Sequence, residues 1–340
     1  LMPKTVIAIT GPTAIGKTGR AISLAQHFKT EIVSTDSRQF YKEMTIGTAV
    51  PSQEELNTCK HHFIQHISVQ DAYSVGDFER DALKCINELF KHNDIVGLVG
   101  GSALFMDAVL HGMDSFPEVD PSIRKRLNAQ YQSEGIVALQ TQLKRLDPDH
   151  YDKVDLQNPH RLLRSLEVSI ATGKPYSSFL GKRTQKRPFS SILIGLHAER
   201  GLVYERINTR VDLMMEMGLL EEAKSLYIHK DLNALNTVGY KEIFEFLDGN
   251  TTLQTAVTEI KKNTRRFAKR QLTWYRKNKM VKWVPYHLKE KDFISAVTEL
   301  LNENYGQYPA LSHNGWRGHR KINNRKTIGR KVQSSFLRWR

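Results

Sequence analysis

"TVIAITGPTAIGKTG", Thr5–Gly19, decides the fold of this chain. Its first residues are β-branched or small, and the run is short and closed by a glycine. That predicts a buried parallel strand over Lys4–Thr10. The next eight, Gly11-Pro12-Thr13-Ala14-Ile15-Gly16-Lys17-Thr18, fit the pattern G-x-x-x-x-G-K-[ST]. Ala21, Leu24, Ala25 and Phe28 at helical spacing then predict a helix over Lys17–Phe28. Strand, glycine loop and helix in this order form a phosphate cradle. The glycines let backbone N–H groups turn inward, and the helix N-terminus adds partial positive charge. Lys17 neutralises phosphate oxygens, and Thr18 offers a hydroxyl to Mg²⁺. The loop does not say which phosphate is held or what becomes of it.

Outward from the cradle, "EIVSTD" (Glu31–Asp36) reads as a second strand and "DIVGLVGG" (Asp94–Gly101) as a third. Between them Ser74 caps a helix running to about His92, with Phe78, Ala82, Ile86 and Leu89 on one face. Another helix follows over Ser102–His111. The alternation predicts an α/β fold, a P-loop doubly wound parallel sheet. From about Phe116 strand signals vanish for some 70 residues and helical patterns take over. The best punctuated has Asn158 as N-cap, Pro159 as first helical residue, and Gly173 and Pro175 as stops. A basic loop, Gly181–Pro188, precedes a strand at Ser191–His197. Helices are then expected at Arg200–Met217, Leu219–Ile228, Thr252–Lys277 and Glu290–Asn302. The expected organisation is a discontinuous core, 1–115 and 190–305, an all-helical insertion, 116–189, and a basic tail, 306–340.

The 340 residues are 40% apolar, enough for a sizeable core. The longest uncharged apolar runs, Thr5–Gly16 and Ile95–Met106, have 12 residues. A spanning helix needs about 20, so no membrane span is expected. No signal peptide is expected either, because Lys4 leads straight into the cradle strand. Leu1 in place of a start methionine points to a trimmed or alternative start. Cys59 and Cys85 are too few for a disulfide framework and suit a reducing cytosol, so a cytoplasmic location is expected. Of the net charge of +14, nine positive charges lie in Gly306–Arg340, which has no Asp or Glu; this leaves +5 for the rest. The tail is expected to be disordered or non-native, with an RNA-binding arm as the alternative. Such a basic balance suggests a polyanionic partner.

A standard NTPase closes a later hydrophobic strand with an acidic metal partner. Here Ile95–Val99 runs into Gly100-Gly101-Ser102 instead. The carboxylate that does stand at a strand's carboxyl end is Asp36, where ligands of such sheets gather. It is placed to serve as base or metal ligand, the bland alternative being a turn-capping aspartate. Cys59, His61, His62 and His66 lack a second Cys/His pair at finger spacing, so no zinc is expected.

Eight motifs in order then carry a resemblance. They are "GPTAIGKT", "STDSRQFYKEMTIGTAVPS", "HHFIQHI", "AYSVGDFERDA", "VGGSALF", "NPHRLLRSLEVSIATGKP", "TVGYKEIFEFL" and "TRRFAKRQLTWYRK", spanning residues 5 to about 285. The chain resembles the tRNA dimethylallyltransferase (tRNA isopentenyltransferase) family of bacterial type. Ile15 stands where the family often has Ser, Ser102 where it usually has Thr, and Phe105 where it usually has Tyr. The resemblance implies transfer of a dimethylallyl group from dimethylallyl diphosphate to N6 of adenosine 37 beside the anticodon. It implies Mg²⁺ as cofactor, tRNA as partner through its anticodon stem-loop, and a monomer. Asp36 would take the N6 proton, and the Gly11–Thr18 cradle would hold the diphosphate. Thr13 would touch phosphate or the bridging oxygen, and Arg210 would be a second cation on the leaving group. Asp36, Ser37, Arg38 and Gln39 would contact the extruded base, with Ser102 and Arg124 among further tRNA contacts. His160, Arg161, Leu162, Leu163 and Arg164, and Asn236, Thr237, Val238, Gly239, Tyr240 and Lys241, would meet the anticodon loop.

On the long C-terminal helix, Arg266, Arg270 and Lys277 form a basic stripe suited to RNA backbone. Phe267, Gln271 and Trp274 form another, whose aromatics are expected in the core. Three rivals remain at this point. A P-loop kinase shares the first 110 residues' logic, and an adenylate isopentenyltransferase would act on free nucleotides. A non-enzymatic RNA-binding module would not need Asp36 beside a cradle.

Overall fold

The computed structural model describes residues 3–181 and 186–306. Most of the basic loop after Gly181, and the tail beyond residue 306, lie outside the described residues. The strands are β1 (Thr5–Thr10), β2 (Ile32–Ser34), β3 (His61–His62), β4 (Ile95–Val99), β5 (Ser190–His197) and β6 (Val281–Pro285). They form one six-stranded sheet in the order β3-β2-β4-β1-β5-β6, and every pairing is parallel. The α/β expectation holds, with β1 at the centre between β4 and β5.

Around the sheet come α1 (Lys17–Phe28), α2 (Gln53–Thr58), α3 (Val75–Leu89) and α4 (Ala103–His111). A run of helices follows: α5 (Pro121–Glu134), α6 (Ile136–Leu146), the single turn α7 (Pro148–Tyr151) and α8 (Pro159–Thr172). After β5 stand α9 (Arg200–Glu216), α10 (Leu219–Leu226), α11 (Tyr240–Leu247), α12 (Leu253–Lys277) and α13 (Glu290–Gly306).

Side chains alternate across a strand, and β1 shows what that does here. Ile7 and Ile9 enter one core with Leu24 of α1 and Phe293 and Val297 of α13. Val6 and Ala8 enter the other with Phe78 and Ile86 of α3 and Met106 of α4. Both faces of the sheet are therefore covered. A third core, around Met44, Leu219, Tyr240 and Phe244, knits α9–α12 to the segment after β2. The helices α5–α8 bury their own leucines, Leu127, Leu139, Leu143, Leu162, Leu163 and Leu166.

The punctuation read from sequence is present. Ser74 and Asp77 cap α3 reciprocally, Asn158 accepts from the Arg161 N–H at 3.3 Å, and Gly173 ends α8 with φ 66°. Strand β2 is shorter than expected, so Asp36 lies two residues beyond it.

Candidate active site

The cradle forms because three of its residues, Gly11, Ala14 and Gly16, adopt positive-φ backbone. Gly11 has φ 142°, and a Cβ there would sit 2.7 Å from the Leu196 carbonyl on β5, so no other residue fits. Ala14 also has φ 65°, a conformation unfavourable for alanine that turns the loop inward. Gly11, Pro12, Ala14 and Ile15 are buried, and Thr13, Ala14, Gly16, Lys17 and Thr18 line the cleft.

That cleft measures about 440 Å³. It is lined by the cradle, by Asp36, by Arg210 of α9 and by Thr45, Ile46 and Thr48–Pro51 of the loop after β2. Lys17 Nζ donates to the carbonyls of Gly11 at 3.2 Å and Pro12 at 3.0 Å. Burial is the largest influence on it and lowers its pKa to about 8, with Arg210 pushing the same way and Asp36 opposing. Burial likewise raises Asp36 above the ordinary aspartate value, although Lys17, Arg38, Arg210 and the Arg38 N–H (3.2 Å from Oδ1) hold it back. A carboxylate so raised takes up a proton more readily, as a general base must.

Arg210 Nη1 donates to Thr13 Oγ1 at 3.4 Å. One turn earlier, Arg206 Nε donates to the Ala14 carbonyl at 2.8 Å. The sequence reading missed Arg206, although its i, i+4 spacing from Arg210 puts both on one helix face. It also missed the role of Gln271 on α12. The Thr13 N–H donates to Gln271 Oε1 at 2.8 Å, and Gln271 Nε2 donates to the Gly101 carbonyl at 2.9 Å. One buried amide thus ties the cradle to the turn after β4. A Cβ at Gly101 would meet Gln271 Nε2 at 2.5 Å, so any larger residue there would displace this amide.

The loop Asp36–Gln39 is anchored on three sides. Ser37 N–H donates to Ser102 Oγ at 3.1 Å, and the two hydroxyls lie 3.0 Å apart. Arg38 Nη1 donates to the carbonyls of Asn233 at 3.1 Å and Ala234 at 2.9 Å, and Nη2 reaches Asn236 O at 3.5 Å. Gln39 Nε2 donates to Thr48 O at 3.1 Å and Ala49 O at 2.8 Å.

Several expected RNA contacts need correction. Leu162 and Leu163 are buried in the leucine core of α5–α8, and Tyr240 is wholly buried with its hydroxyl 2.6 Å from Glu222. Hydrophobic burial claims these side chains, so none can reach RNA. Gly239 is buried as well. Exposed residues of those segments are His160, Arg161, Asn236 and Lys241, while Thr237 and Val238 are partly exposed. Arg124 and Arg164 both bond to the buried Glu167, at 2.7 and 2.5 Å, and none of these α5–α8 residues lines the cleft. The aromatic stripe also departs from expectation. Phe267 is 37% exposed and Trp274 is 45% exposed, because α12 turns Ala256, Ala268, Gln271 and Tyr275 inward instead.

The Cys/His group has other partners. His62 Nε2 is 2.5 Å from Glu31 Oε2, His61 Nδ1 is 2.7 Å from the Cys59 carbonyl, and His66 packs edge-on to Phe40, Phe63 and Tyr73. For Mg²⁺ the relevant donors are the Thr18 hydroxyl and the Asp36 and Glu55 carboxylates, all lining the cleft. Hard oxygens in this number fit an ion that keeps waters and binds through one or two carboxylates plus substrate phosphates. Among the described residues, no helix is long and apolar enough to cross a membrane.

The model of the IPP transferase family matches residues 39–278. The chain is 56% identical over 301 residues to a tRNA dimethylallyltransferase of Christiangramia forsetii, covering 88% of this chain and all of that one. It is 57% identical over 304 residues to the enzyme of that name from Flavobacterium johnsoniae, covering 88% and 98%. Among solved structures, the tRNA isopentenylpyrophosphate transferase of Bacillus halodurans matches with TM-score 0.66 and 36% identity, over 89% of this chain and 97% of that one. A eukaryotic dimethylallyltransferase acting on tRNA matches with TM-score 0.73 and 25% identity, over 91% and 81%. With the family model matched over residues 39–278 and relatives more than half identical along 88% of its length, the chain belongs to the IPP transferase family.

Proposed function

We propose that the protein transfers the dimethylallyl group of dimethylallyl diphosphate to N6 of adenosine 37 in tRNA, releasing diphosphate. One observation carries this reading: Asp36 shares a cleft with a phosphate cradle, Lys17 and Arg210. Two cations and backbone N–H groups suit an anion that gathers charge as it leaves. The lining also includes Ile46, Val50 and Met214, which offer apolar surface for a five-carbon chain.

In the reaction the N6 lone pair attacks the allylic C1. The C1–O bond breaks and its electrons pass to the diphosphate, where Lys17 and Arg210 meet the new charge. Thr13, held by Arg210, faces the bridging oxygen. Asp36 takes the proton that N6 loses, and solvent takes it from Asp36. Mg²⁺, held through Thr18 with Asp36 or Glu55 and the phosphates, would add further charge neutralisation. The target base must leave its stack to reach Asp36, and Ser37, Arg38, Gln39 and Ser102 stand around that entry. The exposed His160, Arg161, Asn236 and Lys241 would meet the anticodon loop, as would Arg124 and Arg164 beside Glu167. In this reading 116–189 is a helical RNA-gripping unit inserted into the core of 1–115 and 190–305, and the enzyme works as a cytoplasmic monomer.

The test is incubation with dimethylallyl diphosphate, Mg²⁺ and an unmodified anticodon stem-loop, followed by nucleoside mass analysis, with AMP and ATP as competing acceptors. Prenylated adenosine in the stem-loop alone is expected. Product on free nucleotide alone would move the activity to the adenylate isopentenyltransferases. ADP from ATP with no prenyl product would make it a kinase.

A further inference from the structure

The segment Thr45–Pro51 is a loop without regular structure beyond turns, yet six of its seven residues line the cleft. Gln39 holds its far end through the Thr48 and Ala49 carbonyls, and one carboxylate holds its near end. The Glu222 carboxylate, on the first turn of α10, accepts three consecutive backbone N–H groups: Thr45 at 3.0 Å, Ile46 at 2.8 Å and Gly47 at 2.9 Å. The Tyr240 hydroxyl donates to the same carboxylate at 2.6 Å. Gly47 packs so closely that a Cβ there would lie 2.6 Å from the Tyr240 ring. Ile46 lies against Gly218, where a Cβ would be 4.0 Å from Ile46 Cδ1, and Leu213 and Met214 of α9 line the cleft with it.

We propose that Glu222 is a positioning residue that sets the length of allylic chain the cleft accepts, by holding Ile46 inward as the end of the apolar pocket. This rests on the prenyl-transfer reading above. Glu222 itself touches no reacting atom; it acts through the loop. Four donors converge on its two oxygens, so an amide cannot replace it: the NH₂ of Gln would face an N–H or the Tyr240 O–H. Glu222→Gln therefore frees Ile46 to swing out while leaving the cradle's own contacts in place.

The experiment compares dimethylallyl diphosphate with geranyl diphosphate, the ten-carbon homologue, on the anticodon stem-loop. The same bonds break and form with either donor. For Glu222→Gln, kcat/KM for geranyl relative to dimethylallyl should rise by about tenfold or more, as size discrimination in an apolar pocket is lost. Binding of inorganic pyrophosphate, measured by calorimetry, should stay as in the wild type. Glu221→Gln, an exposed neighbour on the same turn, should change neither. Glu222→Asp, whose shorter carboxylate keeps charge but reaches fewer donors, should fall between. It also carries the test if Glu222→Gln no longer binds pyrophosphate. A donor ratio within about twofold of wild type in a pyrophosphate-binding Glu222 variant would overturn the proposal. Wild type that prenylates nothing with either donor would instead overturn the parent reading.

Discussion

Asp36 and Lys17 do opposite jobs from one cause. Burial makes the charged form of each less favourable, which raises Asp36 and lowers Lys17 to about 8. A raised carboxylate contributes stability that is fully present below its unfolded value and is lost as pH rises through its folded value. At neutral pH ionised Asp36 therefore weighs against the fold. Asp36→Asn should melt at a higher temperature than wild type, while its kcat for prenyl transfer falls about 10²–10⁴-fold. Melting scans and single-turnover assays check the two halves; unchanged turnover would remove Asp36 from the chemistry. The pH profile follows from the same pair. For dimethylallyl diphosphate, kcat/KM should climb as Asp36 ionises, above the ordinary 3.8, and decline near pH 8 as Lys17 loses its proton. Lys17→Arg should abolish the alkaline decline. Asp36 and the cradle were legible because each is a local pattern: a carboxylate after a strand, and glycines at fixed spacing. Gln271 and Glu222 were not, because their partners lie 258 and 175–177 residues away.

At the scale of elements, α12 is the brace of the site. Gln271→Ala would leave the Thr13 N–H and the Gly101 carbonyl without partners, at about 1–3 kcal/mol for each. Denaturation should report that loss, and KM for the diphosphate donor should rise because Thr13 is no longer held. A KM equal to wild type would mean that the brace does not matter to binding. The sequence misled about this helix for a definable reason. Large aromatics at helical spacing usually face a core, but α12 turns Ala256, Ile260, Ala268, Gln271 and Tyr275 inward, and Trp274 stays outside with Nε1 3.0 Å from Asp107 Oδ2. The central strands β1, β4 and β5 were readable as apolar runs. Edge strands β3 and β6 were not, since two residues carry no period and "VKWVP" mixes lysine and proline into five.

For the whole molecule, charge decides how RNA is approached. Arg266, Arg270 and Lys277 project from α12 into solvent, and Arg270 lies 5.7 Å over the exposed Phe267 ring. If this stripe meets the phosphodiester backbone, stem-loop affinity should fall linearly with salt on logarithmic axes. Arg270→Ala should then make that slope shallower by about 0.7–0.9. Filter binding over a salt series checks it, and an unchanged slope would place the RNA elsewhere. The fold class could be read from the first hundred residues, whereas the closure of the site could not. Gln271 reaches Thr13 across 258 residues, and that distance is also an interval of time. At the usual pace of synthesis, about 5–20 residues per second, roughly 13–50 s separate the emergence of the cradle from that of its brace. A ribosome therefore releases a phosphate loop long before the glutamine that orients it, and a chain truncated before α12 would carry the signature motif without a finished site.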